Sequence, residues 1–287
     1  SPQAPTPAAP VLPVGDESTA LTSKSGETLG SSSSQASSEE DPARVVGIIV
    51  RLQDGADRAA SLASINEAVA GAFPGASAEV TREYSNTFSG VALKAPAGSL
   101  DAIRAASGVQ GAFIDRETHV SDVAGVDAEG GFQATRLADQ NPDNLSAQVI
   151  MHADQVSQRG QGKVVAIIDT GVDMTHPAFA GTLSGTPALS ADKVASLTPK
   201  LGDGKDGVYV NEKFPFAYDY ADEDNDASPL EPHGTHVAGI AAANAGEIMG
   251  VAPDAQVIVA KVEKDGGGML DSALLAALDD MAILHPD

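Results

Sequence analysis

The sequence predicts an α/β chain. A two-sided parallel sheet is expected from residue 148 onward, behind a smaller α+β unit over residues 44–120 and a disordered tail over residues 1–43. Three observations predict it. Residues 164–168 ("VVAII") form a short unbroken apolar run, the pattern of a strand buried on both faces. A second run, "QVIVAKV" at 256–262, is followed by the helical pattern "MLDSALLAALDDMAIL", so strands and helices alternate as in a parallel sheet. Ahead of residue 121 the periodicity changes in the order β-α-β-β-α-β.

The elements follow in chain order. "SPQAPTPAAP" and "SSSSQASSEEDP" are low-complexity and cannot bury enough apolar surface to offset the entropy of ordering. "RVVGIIVRL" alternates as a strand, and residues 59–73 place Leu62, Ile65, Val69 and Phe73 at helical spacing. Residues 77–96 read as two strands, 97–109 as a helix and 109–120 as one final strand, which completes a ferredoxin-like unit. A domain of that size has a marginal core. Residues 121–147 are polar, with "DAEGG" and "NPDN" as breakers, and predict a linker. A short helix is expected over 146–160, ahead of the strand at Lys163. In the last helix, Leu270, Leu274, Leu278 and Met281 are expected on the buried face.

Composition narrows the function classes. The net charge of −23 has no Lys/Arg-rich stripe to offset it, which argues against nucleic acid and anionic membrane surfaces as partners. The sequence has no Cys, which excludes disulfides, Cys-ligated zinc and a thiol nucleophile. No apolar run is long enough to cross a bilayer. The chain starts with Ser and carries no basic-then-apolar leader, so a removed leader and an internal start both stay open.

Two motifs carry chemistry. The strand at 164–168 ends on Asp169, followed by Thr170 and Gly171, and the carboxyl end of such a strand is where open α/β sheets hold their ligands. The Asp-Thr-Gly triplet alone is ambiguous, since it serves pepsin-like proteases, with paired aspartates, and subtilisin-like ones. The second motif is "HGTHVAGIAAAN", beginning at His233. His233 heads a helix, where the positive end of the dipole discourages protonation and suits a neutral base. Gly234 and Gly239 weaken that helix, which suggests that something approaches it closely. His236 is expected to pack structurally, and Asp173 and His176 are read as structural as well.

"AIIDTGVDMTHP" followed by "HGTHVAGI" resembles the Asp and His signatures of the subtilisin-like serine proteases, the subtilases, in the family order Asp, His, Ser. "GVAPDAQVIVAKV" at 250–262 resembles the family's next strand. "NEKFPFAYDYADEDNDASPLEPHGTH" is similar to the lactocepin and C5a-peptidase group of Gram-positive cell-envelope proteinases. The resemblance covers residues 148–287, and pepsin-like chemistry, which needs a second triplet or a dimer, recedes.

The resemblance implies a secreted or cell-wall-associated endopeptidase acting on protein or peptide substrates. Asp169 would orient His233, and His233 would take the proton from an attacking serine. It implies that residues 44–120 are an inhibitory and chaperoning prosegment whose last strand enters the substrate cleft, with the maturation cut in 115–147. The family's Gly-Thr-Ser-Met-Ala type motif and its oxyanion-hole asparagine have no counterpart in these 287 residues, and neither Ser184 nor Ser190 matches. The chain is therefore expected to be the front part of the protease, an incomplete catalytic domain that is inactive alone. A non-catalytic inhibitor or binding module is the rival expectation.

Two smaller signals remain. Asp222, Asp224 and Asp226 alternate, but Ala227 and His233 stand where an EF-hand needs Gly and Glu. A solvated acidic loop and a looser calcium site both stay open, while Ala178 replaces an aspartate that many subtilases use for calcium. No cofactor is otherwise expected. In "EKDGGGML", the three glycines would let a substrate backbone approach, and Glu263 is expected to face the subsites before the cleaved bond and to tolerate basic side chains there.

Overall fold

The computed structural model describes residues 41–119, 152–245 and 248–287. The predicted linker and, apart from residues 41–43, the predicted tail lie outside them. The first unit runs β1 (Val45–Leu52), α1 (Arg58–Ala72), β2 (Glu79–Tyr84), β3 (Gly90–Pro96), α2 (Leu100–Arg104) and β4 (Val109–Ile114). Its sheet has the order β2-β3-β1-β4 with antiparallel neighbours throughout, as expected for a ferredoxin-like unit.

Alternation along β1 divides its side chains between two cores. Ile48, Val50 and Leu52 pack with Ile65, Val69 and Ile103 of the two helices. Ile49 points the other way and joins Tyr84 and Ala92 in a cluster shared with the C-terminal half of the chain. Asp57 caps α1, its side chain accepting from the Ala60 amide at 2.8 Å. The second helix is shorter than the sequence predicts. It follows a 3₁₀ turn at Ala97–Ser99, and the chain then turns back through Gly108 at φ +81°. A Cβ at Gly108 would lie 2.1 Å from Ser61 Oγ, so only glycine fits there.

The final strand of the unit is broken rather than continuous. At the end of β4 the Asp115 amide still donates to Gly47 O of β1 at 2.9 Å, while its carboxylate accepts from the Ser272 amide at 2.9 Å and the Ser272 hydroxyl at 2.6 Å. The chain resumes as β5 (Glu117–Thr118). The expected helix over 146–160 is a 3₁₀ turn, Ala153–Gln155, in its described part.

The second half contains β6 (Val164–Asp169), α3 (Ala191–Leu197), β7 (Phe216–Asp219), α4 (His233–Ala242), the short pair β8 (Asn244–Ala245) and β9 (Ile248–Met249), β10 (Gln256–Lys261), β11 (Met269–Leu270) and α5 (Asp271–Leu284). Strands β6, β10 and β7 form a parallel sheet in the order β6-β10-β7. Both faces are covered. Val257 and Val259 of β10 pack with Ala238 and Ala242 of α4, while Ile258 and Ala260 pack with Ala273, Ala277 and Met281 of α5. Strand β5 pairs antiparallel with β11, Thr118 opposite Met269 and Glu117 opposite Leu270. Among the described residues no helix is long and apolar enough to cross a membrane.

Helix α5 corrects the expected face. Leu270 precedes the helix, and Leu274 and Leu278 are exposed. The buried face carries Ala273, Ala276, Ala277, Asp279, Asp280, Met281 and Leu284. Small alanines let the helix sit close to the sheet, and the two aspartates are buried because each serves backbone amides. Asp280 accepts from Gly202 N at 2.6 Å, Gly204 N at 2.8 Å and the Tyr220 hydroxyl at 3.0 Å. Asp279 reaches the β2–β3 turn and accepts from Ser85 N at 3.0 Å, Asn86 N at 3.0 Å, and Thr87 N and Oγ1 at 2.7 Å each.

Asp279→Ala leaves those three amides without their acceptor. A hydrogen bond to a charged group contributes a net of about 1.5–3 kcal/mol, and water can rehydrate the amides of an exposed turn once the acceptor is gone. Urea denaturation of the 287-residue chain is expected to show a loss of about 2–3 kcal/mol, and an unchanged midpoint would show that the turn does not depend on this carboxylate.

Candidate active site

The site is built where β6 ends. The last residue of that strand, Asp169, is fixed from both sides. Its backbone carbonyl accepts from Val262 N at 2.9 Å, and its Oδ1 accepts from Thr170 N at 2.8 Å. Thr170 is fully buried, and its Oγ1 accepts from the Gly234 amide at 3.1 Å, tying the strand end to the first turn of α4.

Gly171 has φ +98°, and a Cβ there would meet Ala227 O at 2.7 Å. A Cβ on Gly234 would meet Gly171 O at 2.1 Å and Asp169 Oδ1 at 3.1 Å. The close approach expected at Gly234 is therefore that of the Asp169–Gly171 loop itself. Gly239 has nothing within 4 Å of its missing Cβ, so the same expectation does not hold for it.

This interlock sets His233, the first residue of α4, with Nδ1 2.7 Å from Asp169 Oδ1. A carboxylate only accepts, so Nδ1 carries the proton and Nε2 of a neutral ring keeps its lone pair. Asp169 is largely buried, with 16% of its side chain exposed, while the imidazole is 42% exposed and reachable. The hydrogen bond to Asp169 raises the His233 pKa above the ordinary imidazole value; burial opposes the shift, and the charges of Asp169, Glu231 and Glu263 add to it. The helix dipole expected to disfavour the proton is outweighed by this neighbouring carboxylate.

The structure brings together the two sequence-predicted residues, Asp169 and His233. Asp173 and His176 sit apart from the chemistry. Asp173 Oδ1 accepts from Thr175 N at 2.9 Å and Oγ1 at 2.7 Å, and His176 Nδ1 accepts from Ala178 N at 3.2 Å. His236 is exposed, contrary to the packing role expected of it.

Glu231 was not singled out by the sequence. It stands two positions before His233, and its charge acts on the ring together with that of Glu263. Among the described residues no hydroxyl group is hydrogen-bonded to the His233 ring. Of the three glycines in the 266–268 stretch, Gly268 is closely approached, since a Cβ there would lie 2.4 Å from Glu117 Oε1, whereas Gly266 and Gly267 face open space.

Of the alternating aspartates, only Asp222 belongs to a group of converging acids among the described residues. Asp224 and Asp226 accept from the amides of Asp226 and Ser228, at 2.8 and 3.1 Å. Among the described residues the acids that converge are Asp219, Asp222 and Asp265. The Lys261 ammonium already lies 2.8 Å from Asp219 and 2.6 Å from Asp265. Ala178 is buried in an apolar cluster and offers no ligand. The residues present therefore do not form a ready calcium site.

Comparison with known proteins gives a consistent picture. The family model described as "Subtilase family" matches residues 160–286. A PII-type proteinase of Lactococcus lactis subsp. cremoris is 38% identical over 146 residues, which is 45% of this chain and 7% of that protein. The minor extracellular protease Vpr of Bacillus subtilis is 28% identical over 210 residues, 70% of this chain and 22% of that protein. A C5a peptidase of Streptococcus pyogenes is 32% identical over 112 residues, 37% of this chain and 10% of that protein. The chain thus spans only a small part of the length of the relatives it matches.

Asp169→Asn removes the negative partner of the imidazole. By NMR titration the His233 midpoint is expected above about 6.5 in the native chain and lower in the variant. A raised imidazole pKa stabilises the fold fully below the unfolded value and loses that effect as pH rises through the folded one. The melting-temperature gap between native and variant should therefore be larger at about pH 5.5 than at about pH 9. Half-exposure of the ring keeps this charge effect to about 1 kcal/mol or less.

Proposed function

Residues 160–286 belong to the subtilase family, and on that premise we propose that this chain is the N-terminal portion of a secreted or cell-wall-associated serine endopeptidase precursor. The observation that carries the reading is the 2.7 Å contact between Asp169 and His233, with Nε2 left to face a nucleophile. The serine lies outside these 287 residues. As its Oγ bonds to a peptide carbonyl carbon, its proton passes to His233 Nε2. Asp169 offsets the imidazolium charge, and the proton is then delivered to the leaving amine as the C–N bond breaks. Water hydrolyses the acyl-enzyme by the same exchange.

Residues 44–120 act as prosegment, covering the cleft and templating the sheet domain, which folds slowly because its contacts are non-local. Pairing of β5 with β11 supports this reading, because an extended segment added to that edge lies where a substrate strand would lie. The capping of α5 by Asp115 and the Asp279 contacts to the β2–β3 turn support a docked prosegment in the same way. Maturation cuts in the 115–147 region. The name of the relative from Bacillus subtilis, an extracellular protease, accords with a location outside the cell.

Two outcomes test the reading. The 287-residue polypeptide alone is expected to leave casein intact, since loss of the nucleophile from such a triad costs about 10⁶-fold in turnover. The longer protein is expected to label with a fluorophosphonate and to lose labelling on His233→Ala. Absence of labelling in the unmodified, matured protein would favour a non-catalytic module instead.

A further inference from the structure

Next to the dyad lies a pair of carboxylates that the triad chemistry does not use. Glu263 is 7% exposed, and its Oε2 has no hydrogen-bond partner. Oε1 of Glu231 is likewise buried and without a partner. Burial, followed by the charge of Glu231, raises the Glu263 pKa; Asp169 adds to the shift, while Lys261 and His119 oppose it. An unpartnered buried carboxylate is costly, and a second one beside it compounds the cost.

Among the described residues no side chain is hydrogen-bonded to these two oxygens. Lys261, two positions before Glu263, is bonded to Asp219 and Asp265. Lys264 Nζ lies 3.4 Å from Glu117, and His233 Nδ1 is held by Asp169. Among the described residues the converging group of three acids, Asp219, Asp222 and Asp265, does not include this pair.

Position supplies the occupant. Glu263 is two residues beyond Lys261, the β10 partner of Asp169, and it bridges to Met269. Met269 in turn pairs with Thr118 of the strand laid along its outer edge. An extended peptide in that place therefore runs along the segment that Glu263 bridges. Its side chains are the groups that can enter.

We propose that Glu231 and Glu263 form an acidic subsite that takes a Lys or Arg side chain from a peptide laid along Met269–Leu270, within the two residues before the scissile bond. This deepens the peptidase reading and rests on it. An ammonium or guanidinium offers several donors and reaches both carboxylates at once, whereas an apolar side chain leaves them unpaired. That asymmetry is the basis of strong discrimination by buried polar sites.

The prosegment tail allows a test without catalysis, because His119 follows Thr118 and lies within electrostatic reach of Glu263. In the 287-residue chain at about neutral pH, His119→Lys is expected to melt about 2–4 °C above His119→Gln. The gap should vanish when E231Q and E263Q are added. Equal melting of the two variants, or a gap that survives in the Gln background, would overturn the proposal. With the longer, matured protein, a peptide library should show at least about tenfold preference for Lys or Arg over norleucine in those two positions. E263Q should bring the preference close to parity. Cleavage without any basic preference defeats the subsite alone. No cleavage of any peptide defeats the peptidase reading, and the melting cycle then still decides whether the acidic pair binds a cation.

Discussion

The C-terminal half depends on how closely the end of β6 meets the start of α4. Two glycines make that approach possible. Gly234 offers no Cβ to the Gly171 carbonyl, and Gly171 takes a backbone conformation that a Cβ would block against Ala227. With Thr170 bonded across the gap, the Asp169 carboxylate and the His233 ring have little freedom to separate. Preorganisation of this kind fixes the ring and the carboxylate in one geometry within the fold itself. It rests on backbone contacts, so the positioning survives although the imidazole itself is half open to solvent.

The same economy of contact governs how residues 44–118 meet the rest of the chain. A protein with a net charge of −23 could be expected to keep its carboxylates in water. Here Asp115, Asp279 and Asp280 are turned inward, each collecting amide donors from another element. Arg82 does the converse, pairing with Asp203 and Glu223 and donating to the Tyr220 carbonyl at 2.7 Å. Apolar burial beneath these contacts comes from Ile49, Tyr84 and Ala92 against the alanine face of α5.

Much of this was legible in the sequence, and the gaps have physical causes. The strands at 45–52, 164–169 and 256–261 were readable because an unbroken or alternating apolar pattern leaves few other conformations that bury it. Asp169 and His233 were readable because each closes or opens an element beside glycines. Helix α5 was misread because leucines were taken to mark its buried side. Its core face is instead alanine and aspartate, and what buries an aspartate is an amide donor from a distant segment, which periodicity does not reveal. The end of β4 hides a similar contact, since the Asp115 carboxylate is taken up by Ser272, 157 positions away. Glu231 was invisible because only the fold brings it beside Glu263.

The Asp279 contact bears on how durable the association is. Its ligands are the backbone amides of a surface turn, and a carboxylate and a turn are both groups that water hydrates well once they part. A junction fastened partly by such groups, over buried Ile49, Tyr84 and Ala92, can part and have its polar contacts taken up by water. It therefore has the character of a latch rather than a weld.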